Sequence, residues 1–343
     1  MSEFRKDVLS GQWVIVAPER ASRPTDFPVE RRRKGSGFCP FCEGNEEKTP
    51  RELFALRDNG SAADRPGWRV RVVANRFPAL NPQTPLEERS EPFAESMSGF
   101  GFHEVIIDTP RHVQSLSELE PATVRDLLGV YRERLSALRN DGRVVYPMLF
   151  KNVGAAAGAT IEHSHTQLIG MPVTPPVVRA ELAHCAEFAR LNGGNCLVCR
   201  LAEQEKEGRA RVICECTHFL ALAPFASRFP FETWVLPKRH FAHFEEQPPD
   251  TYADLADMLC TLLKRLDAAL DRPAYNLLLH TSPFGEESLS KYHWHMEIIP
   301  SVTRTAGFEW GTGFHINPVA PESAAALMSV SGRPQPAAVE RSV

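Results

Sequence analysis

An internal repeat constrains this chain more than any other feature of its sequence. Each half carries a Cys-x2-Cys pair, then an Arg-His pair, and finally a His-x-His pair, in the same order. The landmarks are Cys39, Cys42, His112 and His163 in the first half, and Cys196, Cys199, His240 and His293 in the second. The two histidine landmarks are 51 residues apart in the first half and 53 in the second. The repeat predicts two similar units, residues 1–172 and 173–330.

The segments between these landmarks also match. Nine residues after His112 and after His240, a proline (Pro121, Pro249) opens an apolar stripe with steps of three and four residues, which predicts an amphipathic helix. The runs 103–109 and 146–152, and their counterparts 232–237 and 275–281, have the composition of strands. Each half therefore predicts strand, helix, strand, loop and strand, which favours an α+β fold with an antiparallel sheet and packed helices.

The landmark residues have the chemistry of metal ligands. A Cys-x2-Cys pair joined by two distant histidines is the ligand set of a Cys2His2 zinc site. The repeat predicts two such sites per chain, and four protein ligands at each would make both Zn2+ ions structural. His103 and His243 are the alternative third ligands, although both fall outside the repeat. The chain has 8 cysteines, and in a cytosolic protein such pairs more often bind metal than form disulfides.

The stretch IEHSHTQLIG (161–170) holds two further polar residues, His165 and Gln167. Residues two apart in a strand share a face, so His163, His165 and Gln167 are predicted to point the same way. If a metal takes His163, His165 is left free, and a neutral imidazole can attack phosphorus to form a covalent intermediate. The small-residue loop 152–160 can bring backbone N–H groups against phosphate oxygens.

These motifs together resemble the galactose-1-phosphate uridylyltransferase branch of the histidine-triad superfamily. The likeness rests on H-x-H-x-Q after N-x-G-A-A-x-G, and on WVIVAPERASRP, CPFC, VVANRFPAL, DTPRH and AGFEWGTGFHINPVAPESAA, over roughly residues 3–328. It implies two tandem histidine-triad-like halves, a homodimer and a role in galactose metabolism. It also implies nucleotide-sugar and hexose 1-phosphate substrates.

The resemblance implies a ping-pong nucleotidyl transfer. His165 matches the nucleophile, which would attack the α-phosphorus of UDP-glucose, release glucose 1-phosphate and hold UMP until galactose 1-phosphate takes it. Gln167 matches the residue that hydrogen-bonds the phosphoryl group, where hydrolases of the superfamily carry a third histidine. By the same matching, the nucleotide and phosphate contacts are Asn75, Asn152, Gly158, Thr160, Arg20 and Arg23, and the hexose contacts are Gly307, Phe308 and Glu309.

The second half departs from this pattern. His293-Trp-His295-Met-Glu297 lacks the glutamine and the small-residue loop. We therefore predict that this half is catalytically silent and supplies the fold, a zinc site and part of the hexose pocket of a dimer.

The sequence is compatible with two activities that use different substrates. Ser164 stands where the best-known uridylyltransferases carry proline, and Thr166 where they carry a small residue. The form H-S-H-x-Q and the second Cys pair also resemble an ADP-glucose phosphorylase, which passes AMP from ADP-glucose to phosphate. UDP-glucose is favoured because that activity is commoner across the family. An alternative of another class is a non-catalytic nucleotide-binding zinc protein.

Composition excludes several other classes. A net charge of −4 gives no basic surface for nucleic acid, and no apolar run reaches the length of a membrane span. The N-terminus, MSEFRKDVLSGQWVIVAP, lacks the order of a signal peptide, which favours a cytoplasmic protein. The Pro- and Arg-rich residues 24–37 and residues 59–66 are predicted loops, and residues 331–343 a disordered tail.

Overall fold

A computed structural model describes residues 1–22, 37–58, 60–285 and 291–330. The predicted tail, residues 331–343, lies outside the described residues, as does nearly all of the Pro- and Arg-rich stretch 24–37. Residues 60–67 form turns and irregular chain between two strands, which agrees with the loop predicted there. Within the described ranges, no helix is long and apolar enough to cross a membrane.

The described residues contain fifteen strands and six α-helices. The strands are β1 (Glu3–Lys6), β2 (Trp13–Val16), β3 (Glu52–Arg57), β4 (Trp68–Ala74), β5 (Glu88–Glu91), β6 (Ala94–Met97), β7 (Phe102–Ile107), β8 (Tyr146–Val153), β9 (His165–Met171), β10 (Val212–Glu215), β11 (Phe219–Leu222), β12 (Thr233–Pro237), β13 (Tyr275–His280), β14 (His295–Pro300) and β15 (His315–Asn317). The helices are α1 (Pro121–Arg139), α2 (Pro176–Leu191), α3 (Leu197–Gly208), α4 (Tyr252–Leu270), α5 (Gly307–Thr312) and α6 (Pro321–Val330).

Ten of the strands form one antiparallel sheet that runs through both halves of the chain. Its order is β10-β11-β12-β14-β13-β8-β9-β7-β4-β3. The halves meet where β13 pairs with β8, with Asn276 opposite Asn152. The α+β prediction and the two matching halves are therefore confirmed, and the sheet is continuous between them. A smaller sheet has the order β1-β2-β15, and β5 and β6 form a separate exposed hairpin.

The two long helices, α1 and α4, cover one face of the large sheet and pack against each other. Both have the apolar stripe expected from the sequence, and the buried residues of α1 include Leu127, Leu128 and Leu135. Burying each such leucine stabilises the fold by about 1.5–3 kcal/mol. In α1, Pro121 occupies the first turn, where its missing N–H costs no helical hydrogen bond.

The opposite face of the sheet differs between the halves. In the second half, α2 and α3 pack over β11 and β12, and a buried apolar cluster fills the space between them. In the first half, the same face carries a smaller apolar cluster with Phe41, Val73 and Val105, beside the side chains of β9. On this face His165 keeps 7% of its surface exposed, whereas its counterpart His295 is fully buried.

Candidate active site and metal centres

The first predicted ligand set converges beside the start of β9. The Nδ1 atom of His163 lies 3.5 Å from Cys39 Sγ and 3.6 Å from Cys42 Sγ, and Nδ1 of His112 lies 3.4 Å from Cys42 Sγ. One ligand atom from each of the four residues lies within 4.8 Å of all the others. These residues come from three segments that are far apart in the sequence, and the fold brings them to one point.

The second predicted set converges in the same way. The Nδ1 atom of His293 lies 3.6 Å from Cys196 Sγ and 3.5 Å from Cys199 Sγ, and Nδ1 of His240 lies 3.8 Å from Cys199 Sγ. The four ligand atoms again lie within 4.8 Å of one another. The repeat in the sequence is therefore a repeat of two clusters in space.

Both clusters have the dimensions of a tetrahedral zinc site. Bonds of about 2.3 Å to sulfur and about 2.0 Å to nitrogen at tetrahedral angles place sulfur and nitrogen about 3.5 Å apart. The second ring nitrogen of His163 lies 2.7 Å from the carbonyl of Thr109, and that of His293 lies 3.0 Å from the carbonyl of Pro237. Each Nε2–H therefore donates to the backbone, which leaves Nδ1 as the ligand atom. Burial also lowers the pKa of His163 to about 4, so its imidazole is neutral at pH 7.

His165 is the first residue of β9, and His163 lies just before that strand. The Nδ1 atom of His165 lies 2.8 Å from the carbonyl oxygen of His163 and donates to it, so Nε2 keeps a free lone pair. Burial, followed by the positive charge of Lys151, lowers the pKa of His165. The ring of Phe41 meets the imidazole edge-on at 5.3 Å between centroids. His165 is thus a fixed, neutral imidazole with one nitrogen available as a nucleophile.

Gln167 is two residues further along β9 and shares its face with His165. Its Oε1 atom lies 2.9 Å from Nε2 of His103, which is on the neighbouring strand β7. Asn75, a predicted nucleotide contact, lies 3.0 Å from the same ring nitrogen through its Nδ2. His103 therefore belongs to this group of polar residues and to neither metal cluster. The other alternative ligand, His243, stacks on Phe284.

The predicted phosphate loop lies next to this face. Asn152 is the next-to-last residue of β8. Its Oδ1 accepts a hydrogen bond of 2.8 Å from Asn276, which leaves its amide N–H groups for a ligand. Gly154 and Gly158 have φ values of 83° and 88°, which residues with side chains rarely adopt. Gly158 and Thr160 are exposed, as a ligand-binding segment requires.

A buried polar network lies directly behind His165. The ammonium group of Lys151 lies 2.5 Å from Asp108, 2.8 Å from the hydroxyl of Ser164 and 2.9 Å from the carbonyl of His165. Ser164 and Thr166 each donate to Asp108, at 2.7 and 3.1 Å. The side chains of Lys151 and Asp108 are both fully buried. This network explains Ser164, since its hydroxyl bridges the ion pair to the strand that carries the nucleophile.

The backbone of Ser164 explains the absence of proline at this position. Its N–H donates to the carbonyl of Val113 at 2.6 Å. Proline has no N–H and would lose this hydrogen bond along with the hydroxyl contacts. The sequence gives no sign of this network, because its lysine and aspartate are 43 residues apart and follow no spacing rule.

Some predicted site residues lie elsewhere in the chain. Arg20 is in a short 3-10 helix next to the small sheet, and Gly307, Phe308 and Glu309 form the first turn of α5, which packs on β15. Within the part of the chain that the structure describes, no hydrogen bond, ion pair or ring contact connects these residues with β9. Glu309 instead accepts a hydrogen bond from the backbone of Ala306 at 2.9 Å. Arg23 lies outside the described residues.

In the second half, the counterpart of His165 is covered. His295 is 0% exposed, against 7% for His165, and its ring stacks on His280 at 4.7 Å. The residue at the glutamine position, Glu297, forms an ion pair with Arg228 at 2.5 Å. These contacts agree with the prediction that this half does no catalysis.

This covered region holds a third cluster of ligand-type side chains, which no motif in the sequence indicates. Glu181, His280 and His295 are buried, and one ligand-type atom from each lies within 4.8 Å of the others. The hydroxyl of Tyr292 donates to Glu181 at 2.6 Å. Burial would lower the pKa of His280, but the charges of Glu181 and Glu297 outweigh it and raise that pKa to about 9. His280 and Glu181, 3.3 Å apart, therefore already form an ion pair within the protein, and burial lowers the pKa of His295 to about 4, which leaves it neutral.

The repeated halves and the His-x-His-x-Gln segment of β9 are the features of a nucleotidyltransferase. Two family models support this class. The N-terminal domain of galactose-1-phosphate uridyl transferase matches residues 1–175, and the C-terminal domain matches residues 181–326. The chain belongs to the galactose-1-phosphate uridyl transferase family.

Individual relatives divide between two activities. An ADP-glucose phosphorylase of Arabidopsis thaliana is 38% identical over 334 residues, which cover 95% of this chain and 92% of that protein. A galactose-1-phosphate uridylyltransferase of Thermotoga maritima is 29% identical over 335 residues, which cover 95% and 97%. The crystal structure of an ADP-glucose phosphorylase from A. thaliana with bound ADP-glucose is similar at a TM-score of 0.82 and 36% identity, over 96% of this chain and 99% of that one.

Proposed function

We propose that this protein transfers a nucleotidyl group in two steps through a covalent intermediate on Nε2 of His165. One observation carries the proposal: the Nδ1–H of His165 is fixed on the carbonyl of His163, so the lone pair of Nε2 is held on the accessible face of β9. A neutral imidazole held in one orientation is a competent nucleophile towards phosphorus. The lowered pKa of His165 keeps it in that neutral form.

In the first step, Nε2 attacks the α-phosphorus of a nucleoside diphosphate glucose. The N–P bond forms as the P–O bond to the leaving group breaks, and glucose 1-phosphate departs. In the second step, an oxygen of the acceptor attacks the same phosphorus, and the bonding electrons return to Nε2. The exposed small-residue loop and Asn152 would stabilise the charge on the phosphoryl oxygens through N–H donors.

We propose that both Cys2His2 clusters hold structural zinc. The thiolate and imidazole donors and their 3.4–3.8 Å separations fit that ion. Bound zinc would supply no open position for substrate, since four side chains fill a tetrahedron. At the first cluster, the ligand His163 is also the residue whose carbonyl orients His165, so the cluster would hold the nucleophile in position.

The proposed donor is ADP-glucose, with inorganic phosphate as acceptor. The relative at 38% identity is an ADP-glucose phosphorylase, whereas the uridylyltransferase relative is 29% identical. The H-S-H segment and the second Cys2His2 cluster favour the same activity. These observations reverse the order of the two donors that the sequence alone favours.

The second candidate is transfer of UMP from UDP-glucose to galactose 1-phosphate. It is supported by the family models, which match both halves of the chain. A non-catalytic nucleotide-binding protein is disfavoured, because the nucleophile, the glutamine and the loop are all present on one accessible face. A homodimer with a cytoplasmic location remains a prediction from the family resemblance.

The donor can be identified by intact-protein mass spectrometry after separate incubation with ADP-glucose and UDP-glucose. We expect an AMP adduct with the first and, in the supernatant, release of glucose 1-phosphate. Adding phosphate should remove the adduct and yield ADP. A UMP adduct that galactose 1-phosphate removes would support the second candidate, and the absence of both adducts would refute the covalent mechanism.

A further inference from the structure

His103 contacts two predicted site residues and is held by the backbone around it. It lies on β7, whose Val105 is paired with Gln167 of β9. The segment that follows β4 wraps around its ring: the N–H of Asn75 donates to the carbonyl of His103 at 2.8 Å, and the N–H of Ala79 approaches Nδ1 at 3.1 Å. The imidazole is therefore clamped between this segment and Gln167.

The backbone N–H of Ala79 determines which nitrogen of His103 carries the proton. A backbone N–H can only donate, so Nδ1 must be the acceptor and Nε2 must carry the hydrogen. Nε2–H then has an acceptor 2.9 Å away, Oε1 of Gln167. The reverse tautomer would accept from the NH2 group of Asn75, 3.0 Å from Nε2, but it would place two N–H groups against each other at Ala79 and the lone pair of Nε2 against Oε1 of Gln167. The tautomer of His103 thus follows from a fixed element of the backbone.

This tautomer also determines how the amide of Gln167 is turned. A glutamine amide can be rotated by half a turn at little cost, which exchanges its oxygen and its NH2 group. With Nε2–H of His103 as donor, Gln167 has to present Oε1 to it, and the NH2 group is turned away from His103. A donor NH2 group is what a negatively charged phosphoryl oxygen needs.

Asn75 is oriented by the same segment. Its Oδ1 accepts from the N–H of Phe77 at 2.8 Å, so its Nδ2 is directed to the side of His103. With Nε2 of His103 protonated, the NH2 group of Asn75, 3.0 Å away, is a second donor at that atom and forms no hydrogen bond with it. The orientation of Asn75 is therefore set by the backbone of Phe77, and that of Gln167 by His103.

We infer that His103 is a positioning residue that locks the Gln167 amide with its NH2 group towards the phosphoryl group. The inference rests on the proposed nucleotidyl transfer, which it deepens. His103 itself does not touch the reacting atoms. It acts by excluding the rotamer in which the oxygen of Gln167 would face, and repel, the phosphoryl oxygens.

The test compares two substitutions with different chemistry. His103→Leu removes the donor but fills a similar volume, whereas His103→Gln keeps an N–H donor at a similar reach. We expect His103→Leu to slow nucleotidyl-adduct formation from ADP-glucose or UDP-glucose by about 10- to 100-fold, the range for losing one hydrogen bond to a charged group. The loss should fall on the maximal rate and leave the concentration for half-maximal rate nearly unchanged. His103→Gln should recover most of the rate.

A double-variant comparison separates positioning from general damage. In a Gln167→Ala background, His103→Leu should cause no further loss, because its partner is already absent. The matched control is His218→Leu, which removes an exposed histidine whose Nδ1 is hydrogen-bonded to Asp254. It should form adduct at the rate of the unsubstituted protein. Zinc content and circular dichroism establish that all variants are folded.

The outcomes are distinguishable. If the unsubstituted protein forms no adduct, the proposed function is refuted and the inference with it. If that protein forms the adduct and His103→Leu matches its rate, only the inference is overturned. Equal losses for His103→Leu with and without Gln167 would also overturn it, since His103 would then act through another contact.

Discussion

Replacing Lys151 by methionine tests the buried network behind the nucleophile. The substitution keeps an unbranched apolar side chain one atom shorter and removes an ammonium group that bonds Asp108, Ser164 and the carbonyl of His165. Burial lowers the pKa of Lys151, which Asp108 partly offsets, and the 2.5 Å contact fits an ion pair. After the change, the carboxylate of Asp108 is buried without a counter-charge.

The size of the expected loss of stability depends on the hydrogen bonds that Asp108 keeps in the Lys151→Met variant. Removing one partner of a buried ion pair costs about 3–5 kcal/mol. Asp108 would retain the hydroxyl donors of Ser164 and Thr166, so we expect the lower end, a loss of about 3 kcal/mol in the free energy of unfolding. Adding Asp108→Asn removes the unpaired charge and keeps an acceptor, and should restore about 1–2 kcal/mol.

Urea unfolding of the zinc-loaded protein, followed by circular dichroism, measures these differences. The matched control is Arg190→Met, which breaks an exposed ion pair with Glu187 on α2. That control should change stability by no more than about 0.5 kcal/mol. A loss below about 1 kcal/mol for Lys151→Met would show that the ammonium group does not offset the buried charge of Asp108. So would a double variant that is no more stable than Lys151→Met alone.

Three further outcomes are expected. Because the pKa of His165 is lowered from 6.5, the rate of adduct formation in rapid-mixing experiments should stay level at every pH down to about 6.5. A rate that falls to half its maximum at a pH above 6.5 would contradict this. Elemental analysis should find two zinc ions per chain, and Cys39→Ser and Cys196→Ser should each lose one. Cys39→Ser should also slow adduct formation, whereas Cys196→Ser should not, since only the first cluster is proposed to hold the nucleophile in position. Equal effects of the two substitutions on the rate would contradict that role of the first cluster.

Features that follow from local spacing are predictable from this sequence. The apolar stripes after Pro121 and Pro249 predict the two long helices, because helical period is a property of neighbouring residues. The two Cys2His2 clusters are predictable for a different reason. Each ligand has a counterpart in the other half, so the repeat selects His112 and His240 over their competitors.

Features that depend on distant contacts are not predictable in this way. A lysine in a strand would ordinarily be assigned to the surface, yet Lys151 is fully buried by partners from two other segments. His103 falls outside the repeat, and its position in the sequence indicates only an alternative metal ligand. Its contact with Gln167 arises only when β7 and β9 pair. Arg20 lies in the 3-10 helix that follows β2 of the small sheet, and residues 307–309 lie in α5, which packs on β15 of that sheet; their role in binding substrate stays a prediction.

The central claim is that His165 carries the nucleotidyl group. The most direct measurement is peptide mapping by mass spectrometry of protein trapped with ADP-glucose or UDP-glucose in the absence of acceptor. The adduct should map to the peptide that contains His165 and should be absent from the His165→Gly variant. An adduct on the peptide that contains His295, or one that persists in His165→Gly, would contradict the account.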